Sequence, residues 1–184
     1  MLLFNRANSY YLLLITLFLG IVAHAQIAID GPIITGFGKV YKVNNQDFEI
    51  NKLQNFHVVF DVSKSPEKKD NVNKWIETAA RFLNMHAQNG ISINKMKVAV
   101  VIHGSAFKDV MNSEAYKKKY GIANPNEKLN KALLNAGVQI ILCGQSATYR
   151  GLVKKDLIPE VQLSLSAMTA IVQLQNQNYR LINF

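Results

Sequence analysis

Residues 138–147, VQIILCGQSA, place the only cysteine of the chain, Cys143, directly after an apolar run. A run that is almost entirely apolar is typical of a strand buried on both faces of a parallel sheet. The small and polar residues that follow the cysteine can begin a helix. We therefore predict a strand over residues 138–142 that ends at Cys143, with a helix starting just after it.

Strand-like and helix-like segments alternate on both sides of this stretch. Short β-branched and aromatic runs indicate strands, and apolar residues recurring at helical spacing indicate helices. This alternation predicts a parallel sheet covered by helices on both faces. The other predicted strands are 57–62, 97–102, 161–165 and 179–182, and the predicted helices are 67–89, 106–119, 127–136 and 166–175.

The first 25 residues have the layout of a secretory signal peptide. One charge, Arg6, precedes the apolar run LLLITLFLGIVA, and Ala23-His24-Ala25 supplies the small residues of a cleavage site. The alternative is an uncleaved anchor, but the run is shorter than the roughly 20 residues of a membrane span. We expect cleavage before Gln26 and an exported protein, periplasmic or secreted, with no membrane attachment afterwards.

Residues 26–55 form a separate N-terminal extension, rich in glycine and asparagine, for which a hairpin is expected. Its segment Gly36-Phe37-Gly38-Lys39 resembles a phosphate-binding loop only slightly. No strand precedes it, and the Lys-Ser/Thr ending of such loops is missing.

The formal net charge of the chain is +9, and most of the excess is lysine. The lysines cluster in short runs in loop-like or helix-surface stretches. A nucleic-acid-binding face would require arginines and exposed aromatic residues interleaved along one side. Few arginines are present, so we interpret the charge as a solvated surface and expect no nucleic-acid partner. The runs are Lys64, Lys68 and Lys69, then Lys117, Lys118 and Lys119, then Lys154 and Lys155.

Two chemically useful side chains, Cys143 and His103, end neighbouring predicted strands. In open parallel sheets, sites form outside the carboxyl ends of the strands. A helix starting at Gly144 would favour a thiolate at Cys143, and Arg150 would add positive potential about two turns along. The alternatives are a small buried apolar residue at Cys143 and a hydrogen-bonded strand-end histidine at His103.

Several motifs together resemble the DsrE/DsrF-like proteins of sulfur relay, and within them a secreted branch. The resemblance covers residues 56–184, which we take as one α/β domain. It implies a three-layer α/β/α sandwich with a mainly parallel five-stranded sheet, assembled as a homo-oligomer, a trimer or hexamer. The motifs are Arg81-Phe82-Leu83-Asn84, Val101-Ile102-His103-Gly104-Ser105-Ala106, Asn124-Pro125-Asn126, Cys143-Gly144-Gln145-Ser146 and Leu165-Ser166-Ala167-Met168-Thr169-Ala170.

In sulfur-carrier members of that family, a cysteine after the third strand carries a persulfide, and Cys143 with Arg150-Gly151 matches this arrangement. The resemblance thus implies sulfur-relay chemistry at Cys143, with His103 modulating the proton and a sulfur donor or acceptor protein as partner. The alternative is a non-catalytic module that binds a small ligand or partner in the same strand-end pocket. Neither hypothesis needs a cofactor, and the scattered histidines offer no metal-ligand spacing. The candidate substrate- or ligand-binding residues are Asn84, Gly104, Gly144, Gln145, Ser146 and Arg150.

Overall fold

A five-stranded sheet forms the centre of the molecule in the computed structural model, which describes residues 27–183. All of its neighbouring strands are parallel, in the order β4-β3-β2-β1-β5. The predicted α/β fold is therefore confirmed. The strands are β1 (Phe56–Val62), β2 (Met96–Ile102), β3 (Gln139–Cys143), β4 (Gln162–Ser164) and β5 (Arg180–Ile182).

Helices cover both faces of this sheet, although very unequally. The described α-helices are α1 (Lys74–Gln88), α2 (Ser113–Tyr120), α3 (Glu127–Asn135), α4 (Gly144–Tyr149) and α5 (Ala167–Asn176). Helix α5 packs alone across one face and touches all five strands, while α1 and α3 pack against the other. Alternation along each strand divides the core accordingly, because successive side chains point to opposite faces. Phe60, Val100 and Leu142 belong to the larger cluster, and Val59, Val101 and Cys143 to the α5 cluster.

Two predicted helices differ from the structure: one begins later than predicted, and the other is divided in two. Helix α1 starts at Lys74 rather than near residue 67, because the Asn73 side chain accepts hydrogen bonds from the N–H groups of Trp75 and Ile76 and so caps it. The single helix predicted over 106–119 is instead a 3₁₀ helix, Gly104–Val110, followed by α2. Asn112 separates the two, since its side chain accepts from the Ala115 N–H and caps α2.

The N-terminal extension lies against α1. Ile29 and Val40 exchange backbone hydrogen bonds at 2.9 Å in an antiparallel bridge, so residues 29–40 form a closed loop. The predicted signal peptide, residues 1–25, lies outside the described residues. Within 27–183, no helix has both the length and the apolar character needed to cross a membrane.

Candidate functional site

The ends of β2 and β3 bring His103 and Cys143 to the same edge of the sheet. These strands are neighbours, and Ile102 pairs with Leu142 in the register. The residues that follow this pair are His103 and Cys143. Backbones of neighbouring strands lie about 5 Å apart. Alternation along the strands also places both on the face that α5 covers.

Two helix starts supply hydrogen-bond donors to the Cys143 sulfur. These are the backbone N–H groups of Gln145 and Ser146 at the start of α4 and that of Ala167, the first residue of α5, which favour the thiolate and so lower the pKa of Cys143. The Ser146 hydroxyl is a further donor. The first N–H groups of a helix have no partner within the helix, so they are available to an anionic atom.

These donors decide the acidity of the thiol. Burial raises the pKa of Cys143, but the hydrogen bonds from Ser146, Ala167 and Gln145 outweigh it, so that the pKa lies below its ordinary value. A thiolate accepting several N–H bonds is stabilised relative to the thiol. The residue itself is only 5% exposed, so the thiol is more enclosed than a freely accessible nucleophile.

Ser146 connects the two strand ends. Its Oγ accepts a hydrogen bond from the Gly104 N–H at 3.3 Å while its hydroxyl donates to Cys143. Gly104 directly follows His103, so the residue after β2 helps to orient the group that holds the sulfur. Ser146 therefore belongs to the site as a positioning residue.

His103 is paired with a carboxylate that was not predicted. Its Nε2 lies 2.9 Å from Oδ1 of Asp61, near the end of β1, and both side chains are partly exposed. Asp61 lies on the α5 face with His103 and Cys143, since it alternates with Phe60 and Val62. The signal for Asp61 was present in the sequence, because a carboxylate interrupts the apolar strand HVVFDV.

The two candidate glycines serve close backbone packing. Gly104 has φ +57°, and a Cβ there would meet the Ser63 carbonyl oxygen at 2.5 Å. At Gly144 a Cβ would lie 2.4 Å from the Ser164 carbonyl oxygen. Gly144 thus lets the end of β4 approach α4, rather than leaving room for a substrate beside the sulfur.

The Arg150 guanidinium lies against an aromatic ring and a backbone carbonyl of α4, and it is not among the groups that shift the pKa of Cys143. Its guanidinium carbon lies 4.5 Å from the centre of the Phe107 ring, and one guanidinium nitrogen donates to the Ser146 carbonyl at 3.4 Å. Hydrogen bonds rather than a cationic neighbour account for the acidity of Cys143. Gln145 is exposed, and its side-chain amide donates to the Leu165 carbonyl at 3.4 Å.

Asn84 lies elsewhere, fully buried in α1. Its Oδ1 accepts from the N–H groups of Ile33 and Ile34, at 3.1 and 2.8 Å. Its amide nitrogen donates to the carbonyls of Ile34, Phe37 and Gly38. Asn84 therefore fastens the N-terminal loop to α1, which explains its burial without a ligand.

Comparison with known proteins agrees with this architecture. The family model described as "DsrE/DsrF-like family" matches residues 57–184. The chain belongs to the DsrE/DsrF-like family. Proteins of this family are related in general to sulfur relay, which is consistent with a hydrogen-bonded thiol at a strand end.

Two solved structures share the fold. The protein of unknown function MTH1491 from Methanobacterium thermoautotrophicum is 18% identical with a TM-score of 0.51, covering 71% of this chain and 100% of its own. The ychN protein from E. coli is 14% identical with a TM-score of 0.52, covering 70% of this chain and 99% of its own. At these identities the similarity shows the fold alone. No curated protein matches the sequence.

Proposed function

We propose that Cys143 carries sulfur as a persulfide, accepting it from one molecule and passing it to another. The observation that carries this proposal is the set of hydrogen bonds from two helix starts to the sulfur, which lower the pKa of the thiol despite its burial. A thiolate is the nucleophilic form of cysteine. The same donors stabilise the terminal anion of a bound persulfide, provided that the added sulfur occupies the same pocket.

The transfer step requires no oxidant. The Cys143 thiolate attacks the terminal sulfur of a persulfide donor, R–S–SH. A new S–S bond forms to Cys143 as the S–S bond of the donor breaks, and the donor leaves as the thiolate RS⁻. The proton of the donor stays on the terminal sulfur of Cys143 or passes to a base. The reverse sequence delivers the sulfur to an acceptor thiolate.

His103 is the proposed base. With its Nε2 proton donated to Asp61, the other ring nitrogen, Nδ1, can take up the persulfide proton. The pair resembles other histidine–carboxylate arrangements in which the carboxylate fixes the tautomer and orientation of the ring. His103 lies beside Cys143 at the sheet edge, although it is not among the groups bonded to the sulfur.

Mass spectrometry of the intact protein tests the proposal. After treatment with inorganic polysulfide and removal of the excess, we expect a gain of one sulfur atom that reductant reverses. Cys143→Ser should show no gain, and Thr148→Ala, an exposed change on α4, should load normally. A wild-type protein that stays unmodified while folded, yet reacts once unfolded, would contradict the proposal.

The second candidate function is a binding module with no chemistry at the cysteine. The 5% exposure of Cys143 favours it, because a wall residue needs no access to solvent. In that case the partly exposed His103 and the exposed Gln145 would contact the ligand. Failure of the native thiol to load sulfur, together with ligand-induced changes in the His103 ring resonances, would support this alternative.

We also propose that the protein is exported and acts as a homo-oligomer. Export is supported by the layout of residues 1–25. Sequencing the N-terminus of protein from the producing cell tests it, with Gln26 as the expected first residue and Met1 as the contradicting one.

A further inference from the structure

Four cationic side chains converge on two aromatic rings, and one of them, Arg150, also contacts the Ser146 carbonyl. Over the Phe107 ring, Lys119 Nζ lies 5.2 Å and Arg150 Cζ 4.5 Å from the ring centre. Over the Tyr120 ring, Lys69 Nζ lies 5.4 Å and Lys108 Nζ 5.9 Å away. We call these four cations and two rings the cation shelf. Its members come from the loop after β1, the 3₁₀ helix after β2, α2 and the end of α4.

The shelf cations form no ion pairs among the described residues, although Lys108 interacts electrostatically with the Asp109 carboxyl. The ion pairs found among residues 27–183 are His103–Asp61 and Lys131–Glu127, and neither includes a shelf residue. The nearby carboxyl of Asp109 is buried and accepts hydrogen bonds from Ser65, Asn73 and Asn126. Lys108 also donates to the Pro66 carbonyl at 3.2 Å, so Lys69, Lys119 and Arg150 carry most of the charge that is available to an outside partner.

The rings also hold the cations in place. A cation over an aromatic face is attracted by the ring quadrupole, by about 0.5–1 kcal/mol at exposed sites. This attraction restricts side chains that would otherwise be mobile, which lowers the entropy lost when a partner binds them. The charges are spread over two rings and four chain segments, so they fit an extended acidic surface better than a single small anion.

Tyr149 indicates what kind of partner would bind. It is 86% exposed, and its ring lies 5.5 Å from the Arg150 guanidinium carbon. Exposed tyrosine beside arginine is the composition of an energetic hot spot in protein–protein interfaces. Tyr149 also ends α4, the helix that begins directly after Cys143. Six residues at 1.5 Å each put the two ends about 9 Å apart.

We propose that the cation shelf, with Tyr149, is the docking surface for an acidic partner protein that exchanges sulfur with Cys143. The role of that partner rests on the proposed function, whereas the docking itself does not. The end of this surface formed by Tyr149 and Arg150 lies one short helix away from the sulfur, so a docked protein could bring its own sulfur-bearing residue to the site. Long-range attraction between opposite charges would speed the encounter.

Binding of fluorescent poly-L-glutamate at low and moderate salt tests the docking surface. We expect wild type to bind and salt to weaken binding. The triple variant Lys69→Glu, Lys108→Glu, Lys119→Glu should bind roughly tenfold more weakly or worse, since like charges repel across an interface. The matched control, Lys42→Glu, Lys52→Glu, Lys128→Glu, changes the net charge equally at exposed positions elsewhere and should lose much less.

Tyr149→Ala tests whether binding depends on specific side-chain contacts or on charge attraction alone. It leaves the charge unchanged, and we expect binding to weaken about fivefold, as for truncation of a hot-spot residue. Equal losses in the two triple variants would overturn the proposal. So would binding of wild type to phosphatidylglycerol vesicles but not to poly-L-glutamate, which would make the shelf a membrane-binding surface.

Sulfur loading from inorganic polysulfide distinguishes the two proposals. The shelf variant should load like wild type, because polysulfide needs no docking protein. If wild type fails to load but binds poly-L-glutamate through the shelf, the persulfide proposal fails and the docking surface remains.

Discussion

At the scale of single residues, the site depends on donors that are mostly backbone. Gln145, Ser146 and Ala167 each present an N–H to the sulfur, and only Ser146 adds a side-chain donor. Backbone donors cannot be removed by ordinary substitution, so the Ser146 hydroxyl is the one contribution that mutation isolates cleanly. The Ser146 oxygen also accepts a hydrogen bond from the Gly104 N–H, so it links the residue after His103 to the sulfur.

We expect Ser146→Ala to raise the pKa of Cys143. Removing a donor to the thiolate destabilises the charged form relative to the thiol, so the proton is lost at higher pH. The rate of iodoacetamide alkylation against pH measures this, with the only cysteine of the chain as the reporter. Thr148→Ala on the same helix is the control. An inflection that stays in place or moves to lower pH in Ser146→Ala would contradict the assignment.

One feature of the site could be predicted from individual residues, whereas the Ala167 donor and the position of Asn84 could not. The adjacency of Cys143 and His103 followed from strand ends in a parallel sheet. The Ala167 donor could not be foreseen, because a backbone N–H carries no sequence signature and its segment is distant along the chain. Asn84 was misplaced because residues 33–38, which bind its amide, lack a periodic pattern that would reveal their position.

At the scale of elements, a buried polar network joins three connecting segments on the face of the sheet that α1 and α3 cover. Asp109 of the 3₁₀ helix accepts hydrogen bonds from Ser65, Asn73 and Asn126. The Asp109 carbonyl also accepts from the Asn124 and Asn130 amides, at 3.1 and 2.7 Å. These bonds tie the loop after β1 and the start of α3 to the segment that follows His103.

Asp109 makes stability depend on pH. Burial raises its pKa from 3.8 to about 6, only partly opposed by hydrogen bonds from Asn73 and Ser65. The unfolded chain therefore loses this proton at lower pH than the folded one, and the folded state loses stability as pH rises from about 4 to above 6. Relative to Asp109→Asn, wild type should lose about 2 kcal/mol of unfolding free energy between pH 4 and pH 7.

Urea unfolding at pH 4 and pH 7 measures that difference. Asp70→Asn, at an exposed position, is the matched control: it retains Asp109, so its difference from wild type should be nearly the same at the two pH values. A difference between wild type and Asp109→Asn that is constant with pH, or that grows in favour of wild type at pH 7, would contradict the burial argument.

The connection between β4 and α5 positions the Ala167 N–H, at the start of α5, beside the Cys143 sulfur. We expect Gly144→Ala to destabilise the protein by about 1–3 kcal/mol, because its Cβ would collide with the backbone at Ser164. The same displacement should move the Ala167 N–H and so raise the pKa of Cys143. Thermal unfolding and the alkylation profile measure the two effects. Gln145→Ala, at the adjacent exposed position, should change the unfolding free energy by less than about 0.5 kcal/mol. Equal losses of stability in Gly144→Ala and Gln145→Ala would contradict the role of Gly144 in this packing.

At the scale of the whole molecule, the two faces of the sheet are unequally covered. Helix α5 alone covers the face that carries the site, and large apolar side chains remain exposed on and beside it. Leu165 is 72% exposed and Met168 76%, and Val172 lies one turn further along the helix. Such a patch is typical of a surface that another subunit covers, which supports the proposed homo-oligomer.

We expect the double variant Met168→Lys, Val172→Lys to dissociate that oligomer. Burying two lysines without partners opposes association strongly. Light scattering of wild type should give a mass above that of one chain, 20.6 kDa before any cleavage, and the variant should approach one chain. Gln173→Lys with Gln177→Lys, at exposed positions in the helix and directly after its end, should leave the mass unchanged. A monomeric wild type at high micromolar concentration would contradict the proposal.

The attachment of residues 29–40 through Asn84 imposes an order on biogenesis. That loop emerges from the ribosome well before residue 84, yet the amide that binds its backbone belongs to α1. The hydrogen bonds between this loop and Asn84 therefore form only after residue 84 has been synthesised, whereas the bridge between Ile29 and Val40 needs no later residue. The first described segment of the polypeptide can thus close early, and its attachment to α1 comes afterwards.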